Sequence, residues 1–474
     1  MDGEAGEKLY ECRHGAASRP LHGGRGSRRR DVEATVLHQV VRENLATLRL
    51  QCAEAGGLPR CVERDFERYL ECGVLARGFT RLACRLCGEE RLVPFSCKSR
   101  GVCPSCNARR AHDTAIHLVE DVLPVAPYRQ WTLSFPMRLR FLLARDSALM
   151  SEVLGVFVRA LFCLQRKTAR RLGVRKPFPG AVAFLQRFGS ALHLTPHVHL
   201  LAPDGVFEQH GRDSPVRLCF LPPPEEAEVE ELLRTVALRV VALMREEGKL
   251  EEAQPEEDAL DFLRAEAVRS PRLPLALDES RPRRGRRCAF LEGFSLHANT
   301  WVHENDRPGL ERICNYGSRG PLSLERLSLL PDGKVGYRMK RPAASGATEL
   351  VLSPLAFLRR LAALVPPPGV HLVRFFGVLA PSARLRPLVV PRPSPVPPPA
   401  AQAPRTSRVP FAELLKRTFG EDIFTCDACG GPRRVVACVF SPSIAARILE
   451  SLHLPSRPLP LARAQDPPQL HLYA

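Results

Sequence analysis

The spacing of the cysteines constrains this chain more than any other feature. Cys84-x2-Cys87 and Cys103-x2-Cys106 form two close pairs with 15 residues between them, and Cys97 and Cys72 lie nearby. A Cys-x2-Cys turn presents two thiolates on one side of a tight bend. Two such turns can close a tetrahedron around a zinc ion, with no coordination position left open for chemistry. The expected role is therefore structural zinc held by Cys84, Cys87, Cys103 and Cys106, with Cys72, Cys97 and His112 as spare candidates. A further Cys426-x2-Cys429-Gly-Gly near the C-terminus reads as half of such a site, with only Cys438 close by and His453 more distant.

The 16 cysteines do not form a secretory disulfide framework, because the start Met1-Asp-Gly-Glu-Ala lacks the basic and apolar regions of a signal peptide. No uninterrupted apolar run reaches the roughly 18 residues of a membrane span, and the sequence predicts neither a secreted nor an integral membrane protein. Hydrophobic residues make up 45% of the 474, enough for packed cores. The net charge is +18, while residues 225–258 gather 12 acids against 4 bases, so the basic surplus elsewhere is larger still. Much of it is arginine, whose planar fork suits phosphate oxygens. A polyanionic partner such as nucleic acid follows, with GC-rich coding bias as the bland alternative.

Residues 1–31 lack apolar periodicity and are expected to be a disordered basic arm. Apolar residues from Val36 to Leu48 recur at helical spacing, predicting a helix over 32–50 and a second over 61–70, so that 32–120 reads as a helical, metal-binding module. A mixed body follows over 121–385. It has strands at 129–136, 181–188 and 192–201 and a helix along the face Leu149 to Leu164. Further helices are expected at 310–316 and 355–364, and a strand pair at 327–330 and 335–339. An acidic helical insertion occupies about 222–270. The dense proline run makes 386–406 a semi-rigid linker, and 407–474 a small tail unit with the Cys426–Cys429 knuckle.

Two further sites could carry chemistry. His197-Val198-His199 lies in a predicted strand, where residues two apart share a face, so both imidazoles could grip one divalent ion. Pro196 just before it suggests an edge strand or a strand start. Gln186 in the preceding strand is a candidate third ligand, with His193 and His297 as rivals. Tyr316 sits among Arg312, Arg319 and Arg326, where cations could hold a phosphate beside a nucleophilic phenol. Taken alone, each reading competes with a bland one: wet-face histidines in the first case, a satisfied core tyrosine in the second.

The whole order resembles the rolling-circle transposases of the insertion sequence ninety-one family. The resemblance is carried by Cys72-Gly, Cys84-x2-Cys87, Leu92-Val-Pro-Phe-Ser-Cys-Lys98, Arg100-Gly-Val-Cys-Pro-Ser-Cys106 and Arg109-Arg110. It continues in Arg129-Gln-Trp131, Gln186-Arg-Phe-Gly-Ser190, Pro196-His-Val-His199, Asp204-Gly-Val-Phe207, Gly293-Phe-Ser-Leu-His-Ala298, Leu310-Glu-Arg-Ile-Cys-Asn-Tyr316 and Cys426-x2-Cys429-Gly-Gly431. It implies an α+β protein: a zinc-ribbon-like N-terminal module, then a nuclease of the His-hydrophobic-His class with a central antiparallel sheet flanked by helices. On this resemblance His197 and His199 match the metal pair and Tyr316 the nucleophile. Asn315 and Arg319-Gly-Pro321 depart from the family's Arg and Arg-Pro-Pro. Gly320 and Arg312 stand one helical turn either side of Tyr316, which makes this a one-tyrosine version.

The resemblance further implies Mg²⁺ or Mn²⁺ at the histidines and a 5′-phosphotyrosine intermediate. The partners would be single-stranded DNA at element ends and target DNA, at the nucleoid of a bacterial cytoplasm. Lys98, Arg100, Arg109, Arg110, Arg312 and Arg319 are the expected DNA contacts. A non-catalytic zinc-ribbon DNA-binding protein is the alternative. A His-x-His-x-Asp-His metallohydrolase is poorly supported, since Leu200-Leu-Ala-Pro203 supplies no ligand.

Overall fold

The computed structural model of the chain describes residues 32–53, 56–248, 259–268, 285–340, 342, 346–391 and 410–465. The basic arm, most of the proline-rich linker and part of the acidic insertion lie outside the described residues.

The chain opens with helices α1 (Val36–Ala53) and α2 (Arg60–Glu71). Helix α1 starts at Val36, the first residue of its apolar pattern, and not at the expected residue 32, because Thr35 ends the preceding turn. Its hydroxyl donates to the Val32 carbonyl and accepts from the His38 N–H, a side-chain cap that stops the helix extending backward. Strands β1 (Phe79–Cys84) and β2 (Glu90–Pro94) form an antiparallel hairpin, and helix α3 (Pro104–His117) begins with Cys103 at its N-cap and proline at its first position.

The body contains β3 (Tyr128–Ser134), α4 (Met137–Arg145), α5 (Ser147–Arg171), β4 (Gly180–Phe188) and β5 (Leu194–Pro203), then the small pair β6 (Gly205–Glu208) and β7 (Arg217–Phe220). Next come α6 (Glu226–Glu246), α7 (Ala259–Val268), β8 (Cys288–Leu291), β9 (Phe294–Val302) and α8 (Arg307–Ser318). A three-stranded sheet of β10 (Leu327–Leu329), β11 (Val335–Arg338) and β12 (Glu349–Leu352) precedes α9 (Pro354–Leu364), β13 (Val373–Gly377) and the short α10 (Arg386–Val389). Val389, within the segment read as linker, is buried in the body. The C-terminal part holds α11 (Phe411–Phe419), β14 (Arg433–Val439) and α12 (Pro442–Ser451).

The central sheet has the order β13-β4-β5-β3-β9-β8, with every neighbouring pair antiparallel. Because side chains alternate along each strand, its register sorts residues by face. Leu185, Val198, Leu133 and Leu296 point to one side and pack with α5 and α6 in the largest apolar layer of the body. Helix α5 is long and apolar enough to cross a membrane by length and composition alone, but Val153, Leu154, Phe157 and Leu161 bury its apolar stripe in this layer. The opposite side is apolar at one end, where Val182, Phe184, Leu201 and Tyr128 meet Leu310 and Cys314 of α8 and the end of α3. At its other end the same side carries the row Gln186–His197–Ser134–Ser295 and, beside it, His199–Thr132–His297.

Strand β14 pairs antiparallel with β1, giving the N-terminal sheet the order β14-β1-β2. Segments about 350 residues apart in the sequence, 79–84 and 433–439, thus share one sheet.

Candidate active site and metal centres

His197 and His199 project from the same side of β5, with ring centroids 4.9 Å apart and planes at 75°. The edge position suggested by Pro196 is corrected: β5 lies between β4 and β3 in the middle of the sheet. Pro196 is tolerated there because pairing with β3 begins only at His197 and pairing with β4 shifts register between Gln186 and Phe188, so no regular ladder bond needs its missing N–H. The Nδ1 of His197 lies 2.8 Å from the Thr195 carbonyl, to which it donates as N–H. The Nδ1 of His199 lies 3.1 Å from the Thr132 hydroxyl, which also receives the Gln130 amide at 3.2 Å. His199 Nε2 is buried and has no hydrogen-bond partner among the described residues. Burial, reinforced by His197 and Arg319, pushes the His199 pKa down to about 3, so its imidazole is neutral at ordinary pH, the form that can ligate a metal.

Tyr316 reaches this pair from α8. Its ring meets that of His199 edge-on, with centroids 5.6 Å apart, and remains 43% exposed. Two local devices bring it there. Gln186, cross-strand neighbour of His197, donates its amide to the carbonyls of Tyr316 (2.6 Å) and Gly317 (3.1 Å), which have no partner within the helix at its C-terminal end. Gly317 lets the helix end lie against β4: a Cβ there would sit 2.6 Å from the Phe184 ring. Gln186 Oε1 is left buried and without a hydrogen-bond partner among the described residues.

The cations sort differently from the sequence expectation. The Arg319 guanidinium stacks 4.6 Å from the Tyr316 ring centroid and 5.0 Å from that of Phe188. Lys340, which the sequence did not single out, places its ammonium 5.2 Å from the Tyr316 centroid. Although Lys340 is exposed overall, desolvation and then Arg319 and Arg326 push its pKa down to about 8. Arg312 instead approaches Asp306 (3.8 Å), and Arg326 lies over Tyr337. Tyr337 is buried beneath it, accepting from the Ser323 N–H, and its burial raises its pKa. Of the rival ligands, His297 faces Cys288 at 3.0 Å.

The cysteines form two quartets, and the grouping expected from spacing is corrected. Cys103 and Cys106 gather with Cys72 and Cys97, while Cys84 and Cys87 gather with Cys426 and Cys429; within each set all sulfurs lie within 4.8 Å of one another. The reason is the hairpin. Strands β1 and β2 carry the first knuckle toward β14, while Cys72 at the end of α2 and Cys97 after β2 approach the start of α3. In the first quartet Cys72–Cys106, Cys72–Cys103 and Cys97–Cys106 are separated by 3.7, 3.6 and 3.5 Å. A tetrahedron of sulfurs about 2.3 Å from zinc has edges of about 3.8 Å, so four thiols at this spacing fit the ion. Among the spare candidates Cys72 and Cys97 join this set. His112 lies outside both sets, and its pKa is pushed down to about 4 by burial.

Around this quartet Asp65 accepts from the Val102 N–H (2.6 Å) and from the Ser99 hydroxyl, tying the loop to α2. Arg100 donates to the carbonyls of Val370 and Pro367, and Arg110 to those of Ser99 and Lys98. Both guanidinia thus clamp backbone as well as carrying charge. Lys98 is exposed, and Arg109 lies over the ring of Phe411.

Residues 42–135 match the family described as "Transposase zinc-binding domain", and residues 180–386 match the one described as "Putative transposase". The first contains six of the eight clustered cysteines, and the second contains His197, His199, Gln186 and Tyr316. The chain is 26% identical over 402 residues to a protein of Sinorhizobium fredii named "Putative transposase y4qJ", covering 78% of this chain and 87% of that one. No solved structure matches.

Proposed function

We propose, from the premise that this chain belongs to the insertion sequence ninety-one family of transposases, that it nicks and rejoins single-stranded DNA through a 5′-phosphotyrosine intermediate. The observation that carries this reading is the meeting of Tyr316 with the paired imidazoles of His197 and His199 on one polar stretch of the central sheet.

His197 and His199 would hold the divalent ion, with Gln186, the cross-strand neighbour of His197, offering as third oxygen donor an Oε1 that has no hydrogen-bond partner among the described residues. A bound Mg²⁺ or Mn²⁺ would supply Lewis acidity toward the scissile phosphate. The Nδ1 of His197 donates to the Thr195 carbonyl, which orients its ring and leaves Nε2 for the ligand role, while the Thr132 hydroxyl and the Gln130 amide at Nδ1 orient the ring of His199. The Tyr316 oxygen attacks phosphorus and the bond from phosphorus to the 3′ oxygen breaks; this exposed phenol gives up its proton to solvent, and the departing 3′ oxygen takes one up from solvent to leave as a 3′-hydroxyl. Arg319 and Lys340 offer positive charge beside the developing phosphorane. Since the ester bond is conserved in the adduct, a later 3′-hydroxyl can reverse the step and join strands without ATP.

The zinc module and its basic residues would hold the element's ends through phosphate contacts, and the work would take place where bacterial DNA lies. The deciding experiment incubates labelled single-stranded oligonucleotides bearing the element's ends with the protein and Mg²⁺ or Mn²⁺. The parent yields nicked product and a denaturant-resistant protein–DNA adduct. Tyr316→Phe loses both while retaining oligonucleotide binding. An adduct persisting in that variant rejects Tyr316 as nucleophile, and a parent that binds but never nicks leaves a DNA-binding protein without this chemistry.

A further inference from the structure

We infer that Cys84, Cys87, Cys426 and Cys429 bind a second structural zinc ion, which staples the C-terminal segment onto the N-terminal module. The matched zinc-binding region stops at residue 135, so half of this ligand set lies far outside it.

The two half-sites are built alike. In the first, the Cys84 N–H donates to the Glu89 carbonyl, the Gly88 N–H donates to the Cys84 carbonyl, and Gly88 has φ +74°. In the second, the Cys426 N–H donates to the Gly431 carbonyl, the Gly430 N–H donates to the Cys426 carbonyl, and Gly430 has φ +70°. The same two bonds at the same offsets, each closed by a glycine in the left-handed region, make a pair of matching turns that aim two sulfurs each. The Leu86 N–H also points at the Cys84 sulfur, 3.4 Å away, a donor suited to a thiolate.

The turns face one another across the sheet. Cys84 ends β1 opposite Arg433 of β14, and the Arg85 N–H donates to the Pro432 carbonyl. This brings Cys84 within 3.4 Å of Cys429 and Cys87 within 3.6 Å of Cys426, across sequence separations of 345 and 339 residues. These spacings approach the edge of about 3.8 Å that tetrahedral zinc sulfur bonds of about 2.3 Å require. They are far longer than a disulfide bond of about 2.05 Å. Arg433, fully buried at its side chain, donates to both Glu89 and Asp427 at 3.1 Å, bracing one turn against the other. Closing so long a loop is entropically unfavourable, and a metal clip is an efficient way to hold it.

The test is metal analysis of the intact full-length protein, purified without chelator and with reductant present. The parent holds about two zinc ions per chain, and Cys426→Ser with Cys429→Ser holds about one. A parent with one ion, or a double variant still holding two, overturns the proposal. Native thiol footprinting of the unaltered protein keeps the test independent of variant folding. Exposed Cys87 and Cys429 resist maleimide until a chelator is added, whereas exposed Cys163 and Cys438 react at once. Labelling of Cys87 and Cys429 at the rate of Cys163 refutes the site, as does a zinc-free protein whose intact mass shows these four cysteines oxidised to disulfides.

Discussion

The ring of Tyr316 stands edge-on to that of His199, the planes at 80°, with Gln186 bonded to the tyrosine's own carbonyl from the strand beside the histidines. The phenol is therefore registered to the sheet through the backbone that carries it. This makes the helix end at 316–317 as important to the site as the side chains themselves.

Gly317→Ala tests that registration. The new methyl would lie 2.6 Å from Phe184, so α8 must shift or tilt. Overpacking of this kind costs about 1–3 kcal/mol. Nicking should fall by about tenfold or more, because displacement by an ångström disturbs attack geometry more than it disturbs folding. The comparison is single-turnover nicking against denaturant midpoint. An unchanged nicking rate would show that the close approach to Phe184 does not position Tyr316.

Gln186→Ala removes a donor that satisfies two carbonyls at the end of α8 and should lower stability by about 1–3 kcal/mol. Gln186→Glu separates its two roles. A carboxylate retains an oxygen ligand but cannot donate to the Tyr316 and Gly317 carbonyls. If positioning dominates, both variants lose nicking alike; if ligation dominates, the glutamate variant keeps more activity at saturating Mn²⁺. Activity of the alanine variant equal to the parent's would remove Gln186 from both roles.

Lys340 supplies a pH signature. Its ammonium, with a pKa pushed down to about 8, is charged below that value and neutral above it. The second-order rate of oligonucleotide cleavage, which reports the free protein, should therefore decline as pH rises through about 8. Lys340→Arg holds its charge and should abolish that decline, while Lys340→Met should show the lower rate throughout. A decline of the same size in the arginine variant assigns it to another group.

Arg129 and Asp204 form a buried pair that anchors β3 to the end of β5, with N–O distances of 3.0 and 2.5 Å and a further donation from Arg129 to the Ala298 carbonyl. Burial raises the Asp204 pKa despite the arginine beside it, so the pair is sensitive to desolvation. Asp204→Ala strands a cation in the interior and should cost about 3–5 kcal/mol. Equilibrium denaturation reads this directly, and a loss below about 1 kcal/mol would mean that water relieves the charge.

Much of the local architecture was legible in the sequence. The 3.6-residue apolar pattern of α1 and α5 and the strand segments of β4 and β5 fall where the structure has them, within a few residues. The strand pair expected at 327–330 and 335–339 is present as β10 and β11, with Pro331-Asp-Gly333 between them. Asp204-Gly205 has the composition of a simple turn. In the structure Asp204 serves Arg129, and Gly205 opens β6 where a Cβ would lie 2.8 Å from Leu218. Lys340 and Thr132 carried no signal, because a lone lysine and a strand threonine are common in any sequence. The glycine after Tyr316 was the one available hint of the close approach between α8 and β4.

The sequence by itself determined the short-range geometry: two imidazoles on one side of a strand, and Cys-x2-Cys turns that offer sulfurs in pairs. These follow from backbone periodicity and from bonds spanning a few residues, which neighbouring residues dictate. Only the tertiary structure decided the partners. Pairing of β14 with β1 joined Cys84 and Cys87 to Cys426 and Cys429, and packing of α8 on β4 delivered Tyr316 to the histidines. Such partnerships depend on sheet order and on which apolar faces meet, and neither leaves a mark in the spacing of the residues concerned.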